Sequence, residues 1–113
     1  MFNTSDLRNF YGSQNSYRFM GGVTFTDGVA FLMKNGAGWL CSDAMIVCAM
    51  VPKVKREEFV HIVAKPSKDG RCVVTYDDGN GKVLHTQKYD MCDLPCEVEF
   101  YYENRMFMLT TER

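Results

Sequence analysis

The stretch FTDGVAFLMKNGAGWLCSDAMIVCAMVP, Phe25 to Pro52, decides how this chain is read. Its only charged residues are Asp27, Lys34 and Asp43, it carries the single tryptophan, and Ala44 to Val51 is an unbroken apolar run. A membrane span is excluded by length, because crossing a bilayer takes roughly 20 apolar residues. The spacing predicts two helices. Thr26 or Asp27 caps the first, which runs to about Lys34 with Val29, Leu32 and Met33 on one face. Asn35-Gly36 stops it, since glycine accepts the left-handed backbone at a helix end. The second starts near Trp39, places Leu40, Ala44, Val47 and Val51 on one stripe, and ends at Pro52. Trp39, Ile46 and Met50 lie close to that stripe, so the helix is apolar around most of its circumference and needs cover on several sides.

Working towards the N-terminus, Thr4 or Ser5 caps a short helix carrying Leu7, Phe10 and Tyr11, and Gly12 ends it. Tyr17 to Phe25 reads as an extended piece that Gly21 and Gly22 weaken. Towards the C-terminus the hydrophobic period changes from helical to alternating. Phe59 to Lys65, Arg71 to Tyr76 and Lys82 to Tyr89 read as strands joined by the turns Pro66 to Gly70 and Asp77 to Gly81. The segment Asp90 to Pro95 breaks the sheet. Glu97 to Tyr102 and Arg105 to Thr111 pair across Glu103-Asn104. The expected fold is α+β, one domain over residues 1–113, with N-terminal helices packed on one face of a four- to five-stranded antiparallel meander.

Composition bounds the function. Thirteen basic residues oppose fourteen acidic ones, a net charge of −1, whereas nucleic-acid binders carry a basic excess. Nucleic acid is therefore not the expected partner. The N-terminal segment has neither a basic nor an apolar leader region, which points to a cytoplasmic protein. Five cysteines, Cys41, Cys48, Cys72, Cys92 and Cys96, are an odd number without a secretion signal, so they read as free thiols.

Chemistry-bearing patterns are few. Cys92 and Cys96 have metal-pair spacing, and Cys72, His61 and His85 could complete a zinc set. No second close pair exists, so no metal or cofactor is assigned. A cysteine nucleophile needs a base, and neither histidine sits in a nucleophile signature. Asp77 and Asp78 fit turn geometry, and their loop lacks the full spacing of a calcium site. The expected class is a non-enzymatic binding module. In the final hairpin Val98, Phe100, Tyr102, Phe107 and Leu109 alternate towards the helices. That leaves Tyr101, Met106 and Met108 on the far face as the candidate binding patch. The partner would be a host or bacterial protein, or a second copy of the chain in a homodimer. The alternatives are a cysteine-based metal-binding domain built on Cys92 and Cys96 and stacking of single-stranded nucleic acid on Tyr76, Tyr89 and Tyr101.

Phe25-Thr26-Asp27-Gly28-Val29, then Ala37 to Leu40, then Asp77 to Leu84, in that order and spacing, resemble a small family of uncharacterised bacterial proteins of phages, plasmids and mobile elements. The likeness covers most of the chain from Tyr17 onward. Phe25 and Gly38 stand where the family has tyrosine. The resemblance implies no catalytic residues. Its mobile-element setting implies a small protein that blocks or redirects a host protein, such as an inhibitor of a defence system.

Overall fold

A computed structural model describes residues 2–10 and 15–113. The expected positions Tyr11 and Gly12 lie outside the described residues. The elements in chain order are α1 (Thr4–Leu7), β1 (Ser16–Arg18), β2 (Thr24–Thr26), α2 (Asp27–Leu32), α3 (Gly38–Met50), α4 (Pro52–Lys55), β3 (Phe59–Pro66), β4 (Cys72–Asp77), β5 (Val83–Tyr89), β6 (Val98–Glu103) and β7 (Met106–Leu109).

The architecture is α+β, but the sheet is larger and less regular than a four- or five-stranded meander. Seven strands lie in the order β1-β2-β7-β6-β3-β4-β5. β2 runs parallel to β7, and every other neighbouring pair is antiparallel. Only β3-β4-β5 is a true meander. The chain then crosses the sheet end through residues 90–97 and returns β6 to the other side of β3. The two additional strands come from the glycine-interrupted Tyr17–Phe25 stretch. Gly21 and Gly22 hold φ of 68° and 80°, and they fold the extended piece back on itself as a β1–β2 hairpin.

Strand alternation places Val60, Ile62, Ala64, Val74, Tyr76, Phe100 and Phe107 in one buried cluster with Leu40, Cys41, Ala44, Met45 and Cys48 of α3. Tyr76, Phe100 and Phe107 are among the largest fully buried side chains. Phe100 and Phe107 stack with centroids 4.5 Å apart. The expected helices therefore do supply the core. Three details differ. Asn3, not Thr4 or Ser5, caps α1, through a reciprocal bond pair with Asp6. Pro52 ends α3 but also opens α4, because a proline in the first helical turn needs no partner for its missing N–H. Ile46 and Met50 are 40% and 61% exposed. α3 is one layer over one sheet face, so its outward side stays open despite its composition.

The final hairpin turns at Asn104-Arg105, one residue later than the expected Glu103-Asn104. Both turn residues are left-handed, with φ of 54° and 62°, the geometry that matches strand twist in two-residue hairpins.

Besides the β2–β7 pairing, the N- and C-terminal parts are joined at a buried corner. After β7 the chain makes a short turn, Thr110–Glu112, which sends the Glu112 side chain back towards the start of α2. Its carboxylate accepts from the Thr26 hydroxyl at 2.6 Å, the Gly28 N–H at 3.0 Å and the Leu109 N–H at 2.9 Å. The cap of α2 is therefore supplied from the far end of the chain. Thr26 occupies the cap position without capping through its own side chain. Negative charge at a helix start is favourable twice over, through direct bonds and through the helix dipole. Asp27 in turn accepts from the Tyr17 hydroxyl at 2.9 Å, which ties β1 to the same corner. Gly28 is fixed by space: an added Cβ would lie 2.5 Å from Glu112 Oε1 and 2.6 Å from Leu109 Cδ1.

Glu112→Ala leaves a buried hydroxyl and two N–H groups without their acceptor, so a loss of about 3 kcal/mol is expected in urea unfolding. Glu112→Gln, which keeps one acceptor oxygen, should lose less. Gly28→Ala should cost about 1–3 kcal/mol through overpacking. Wild-type stability for both Glu112→Ala and Gly28→Ala would contradict this role.

Candidate functional site: the open face of the sheet

The face of the sheet opposite α3 is built by the other half of each strand's alternation. β3 contributes Phe59, His61 and Val63. Cross-strand register sets Tyr101 beside His61 on one side and Asp77 beside it on the other. Glu99 lies opposite Val63 and reaches His61 diagonally.

His61 is bracketed by these carboxylates. Its Nδ1 is 3.1 Å from Asp77 Oδ2 and its Nε2 is 3.0 Å from Glu99 Oε1. Carboxylate oxygens only accept, so both contacts are hydrogen bonds at once only when both ring nitrogens carry protons. The ring ties β4 and β6 to β3 across the open face. Asp77 is itself oriented by the following turn, where its Oδ1 accepts from the Gly79 N–H at 2.7 Å. Asp78 accepts from the Asn80 and Lys82 N–H groups at 2.9 and 3.2 Å. The bond from Asn80 above all holds the Asp78 carboxyl below its ordinary range. The aspartates of this loop are thus turn residues, as their spacing suggests, and Asp77 serves His61 as well.

Below His61 lies a stack. The Phe59 and Tyr101 rings are 5.1 Å apart, and the Arg113 guanidinium sits 4.7 Å from the Phe59 centroid and 5.4 Å from that of Tyr101. Glu103 holds Arg113 through two bonds, at 3.2 and 3.3 Å. A guanidinium over aromatic faces is held by the ring quadrupoles. Gly79 packs so closely on Phe59 that an added Cβ would stand 2.8 Å from the ring.

The expected patch of Tyr101, Met106 and Met108 is only partly present. Tyr101 is half-buried within the stack. Met108 is 9% exposed, and the Met106 sulfur accepts from the Thr24 hydroxyl at 3.4 Å. The two methionines fall under the β2 side of the sheet, where the N-terminal segments that sequence reading left off the sheet have joined it. The side chains grouped with Tyr101 on the open face are Phe59, His61, Glu99 and Arg113. Arg113 gave no sequence signal, because its place depends on the turn after β7. The most exposed large apolar side chains lie elsewhere, Met91 at 88% and Met50 at 61%.

Of the three tyrosines considered for base stacking, only Tyr101 is on this face. Tyr76 is fully buried and donates to Gln87 at 2.7 Å, and Tyr89 donates to Asp43 at 2.9 Å. His85 lies against Tyr76, in a different row from His61. Cys92 neighbours Cys72, and burial together with that contact pushes the Cys72 thiol up to about 12. Burial alone pushes Cys41 up to about 12 and raises Cys48 further. Cys92 and Cys96 are partly exposed, and all five cysteines are unbridged. Among the described residues no group of three or more His, Cys, Asp or Glu side chains is placed to hold a metal ion. No helix among them is long and apolar enough to cross a membrane.

A family of unknown function, DUF6876, matches the chain over residues 1–113. The chain belongs to that family. No curated protein and no solved structure matches it.

Thiolate is the reactive form of cysteine, so a thiol raised to about 12 stays inert at pH 8. Maleimide labelling of the native protein at pH 8 should modify Cys92 and Cys96 quickly, and Cys41, Cys48 and Cys72 only after unfolding. Rapid native labelling of Cys41 or Cys48 would contradict the burial described.

Proposed function

We propose that the protein is a small non-enzymatic binding module of phage or mobile-element type. It acts by docking the open face of its sheet on a host protein, as an inhibitor of a host defence system would. The observation that carries the reading is the Phe59–Tyr101–Arg113 stack beside the bracketed His61, on a face that bears no helix among the described residues. Tyrosine and arginine are the residue types that anchor protein interfaces, since each combines a large contact surface with a directional polar group. Here both are pre-ordered by neighbours within the fold, which lowers the entropy cost of binding. Both ring nitrogens of His61 face carboxylates of the fold, which favours a positioning role in a rigid surface. The mobile-element setting is supported by the resemblance carried by Thr26-Asp27-Gly28-Val29 and the Asp77 to Leu84 turn. The near-neutral net charge favours a protein partner over a phosphate backbone.

Affinity capture from a bacterial host, with proteins quantified by mass spectrometry, tests this. Wild type should enrich a host protein that Tyr101→Asp and Arg113→Ala each recover at least tenfold less, while both variants keep the wild-type circular dichroism spectrum. Equal recovery by all three folded proteins would remove this face from the account.

A further inference from the structure

The end of the sheet that carries the β6–β7 turn holds a second feature. A cleft of about 430 Å³ lies between α3, α4 and this turn, within the size range of small-molecule sites. Tyr102, Arg105, Lys55, Glu57 and Glu58 line it.

Two of these residues carry side-chain polar groups that make no bond within the described fold. Arg105 is the second residue of the two-residue turn, with φ of 62°. Glycine adopts that backbone without strain, whereas an arginine carries a steric penalty there. The turn is held all the same, because the Thr24 N–H and hydroxyl both donate to the Arg105 carbonyl, at 2.8 and 3.0 Å. The guanidinium rests against Gly22, where an added Cβ would stand 2.6 Å from Nη1. Arg105 takes part in none of the ion pairs among the described residues. Residues held in strained backbone cluster at functional sites.

Tyr102 makes the same point differently. It is 7% exposed and its ring belongs to the core. Its hydroxyl bonds to no side chain or backbone group among the described residues. No fully buried side-chain polar atom there lacks a partner, so the oxygen reaches the cleft. Phenylalanine would fill the same core space. Burial raises the phenol, which therefore keeps its proton and can donate at neutral pH.

Lys55, Glu57 and Glu58 are also outside the ion pairs among the described residues. Among the described residues the cleft thus combines two unpaired cations, two unpaired carboxylates and a free hydroxyl, beside Glu103, whose carboxylate is held by Arg113. We infer that it binds a small zwitterion of the amino-acid class, free or as a dipeptide, with the carboxylate on Arg105 and Tyr102 and the ammonium facing Glu57 and Glu58. A guanidinium matches a planar carboxylate by paired hydrogen bonds. A phosphate would bring more negative charge towards the glutamates and offer them nothing in return.

The test is a titration of ¹⁵N-labelled protein with each common L-amino acid and with glycylglycine, alongside sodium acetate, methylamine and inorganic phosphate. Saturable amide shifts are expected at Lys55 to Glu58 and Tyr102 to Arg105 with at least one zwitterion, at least tenfold tighter than with acetate or methylamine. Tighter binding of amino acids or of the dipeptide identifies the source. Arg105→Gly and Tyr102→Phe should bind at least tenfold more weakly and unfold at or above the wild-type temperature. Absence of saturable shifts with every zwitterion, or tighter binding of phosphate, would overturn the inference. A markedly lower unfolding temperature for both variants would also overturn it, because each group would then be structural.

Discussion

The structure depends most on one buried carboxylate. Glu112 is 7% exposed, and it accepts from donors at the β2–α2 junction and at the end of β7. Those two places are more than eighty residues apart in sequence. A buried charge is tolerated only when its lone pairs are satisfied. Here satisfying them fixes the parallel pairing of β2 with β7 and the entry angle of α2 together. The Thr26-Asp27-Gly28 motif is explained by the same contact: a donor, an acceptor for Tyr17, and a residue small enough to let the carboxylate in.

This tie has consequences for the surface. Joining β2, and through it β1, to β7 enlarges the sheet beyond the carboxy-terminal strands and brings Met106 and Met108 away from a free edge. The turn that presents Glu112 inward also returns Arg113 outward over Phe59 and Tyr101. The buried cap and the exposed stack are therefore adjacent residues of one turn, and the binding face proposed above inherits its order from the core.

Much of the fold was legible because it is local. Asn35-Gly36 stops a helix, and Gly36 holds φ of 100°. Alternation in Phe59 to Pro66 gives the buried face of the central strand directly. What could not be read depends on long-range closure. Nothing in Thr24 to Thr26 announces a parallel neighbour some eighty residues on, and β6 pairs with β3 instead of with β5, the strand that precedes it. The candidate site shows the same division. Tyr101 was placed on the outer face by alternation alone, whereas Met108 was misjudged because its cover comes from distant segments. Arg113 and Glu112 were silent, since a terminal Glu-Arg pair has no pattern to betray its partners. Arg105 was read as a strand residue because a non-glycine at a left-handed turn position goes against local preference.

Amide hydrogen exchange at Gly28 tests the central claim most directly. If Glu112 caps α2 and locks the two parts of the chain, the Gly28 N–H should exchange only through global unfolding, as slowly as the amides of Ile62 and Phe100 in the sheet centre. Exchange of Gly28 at the rate of the exposed turn glycine Gly81, with Ile62 and Phe100 still protected, would show that the carboxylate does not hold this junction.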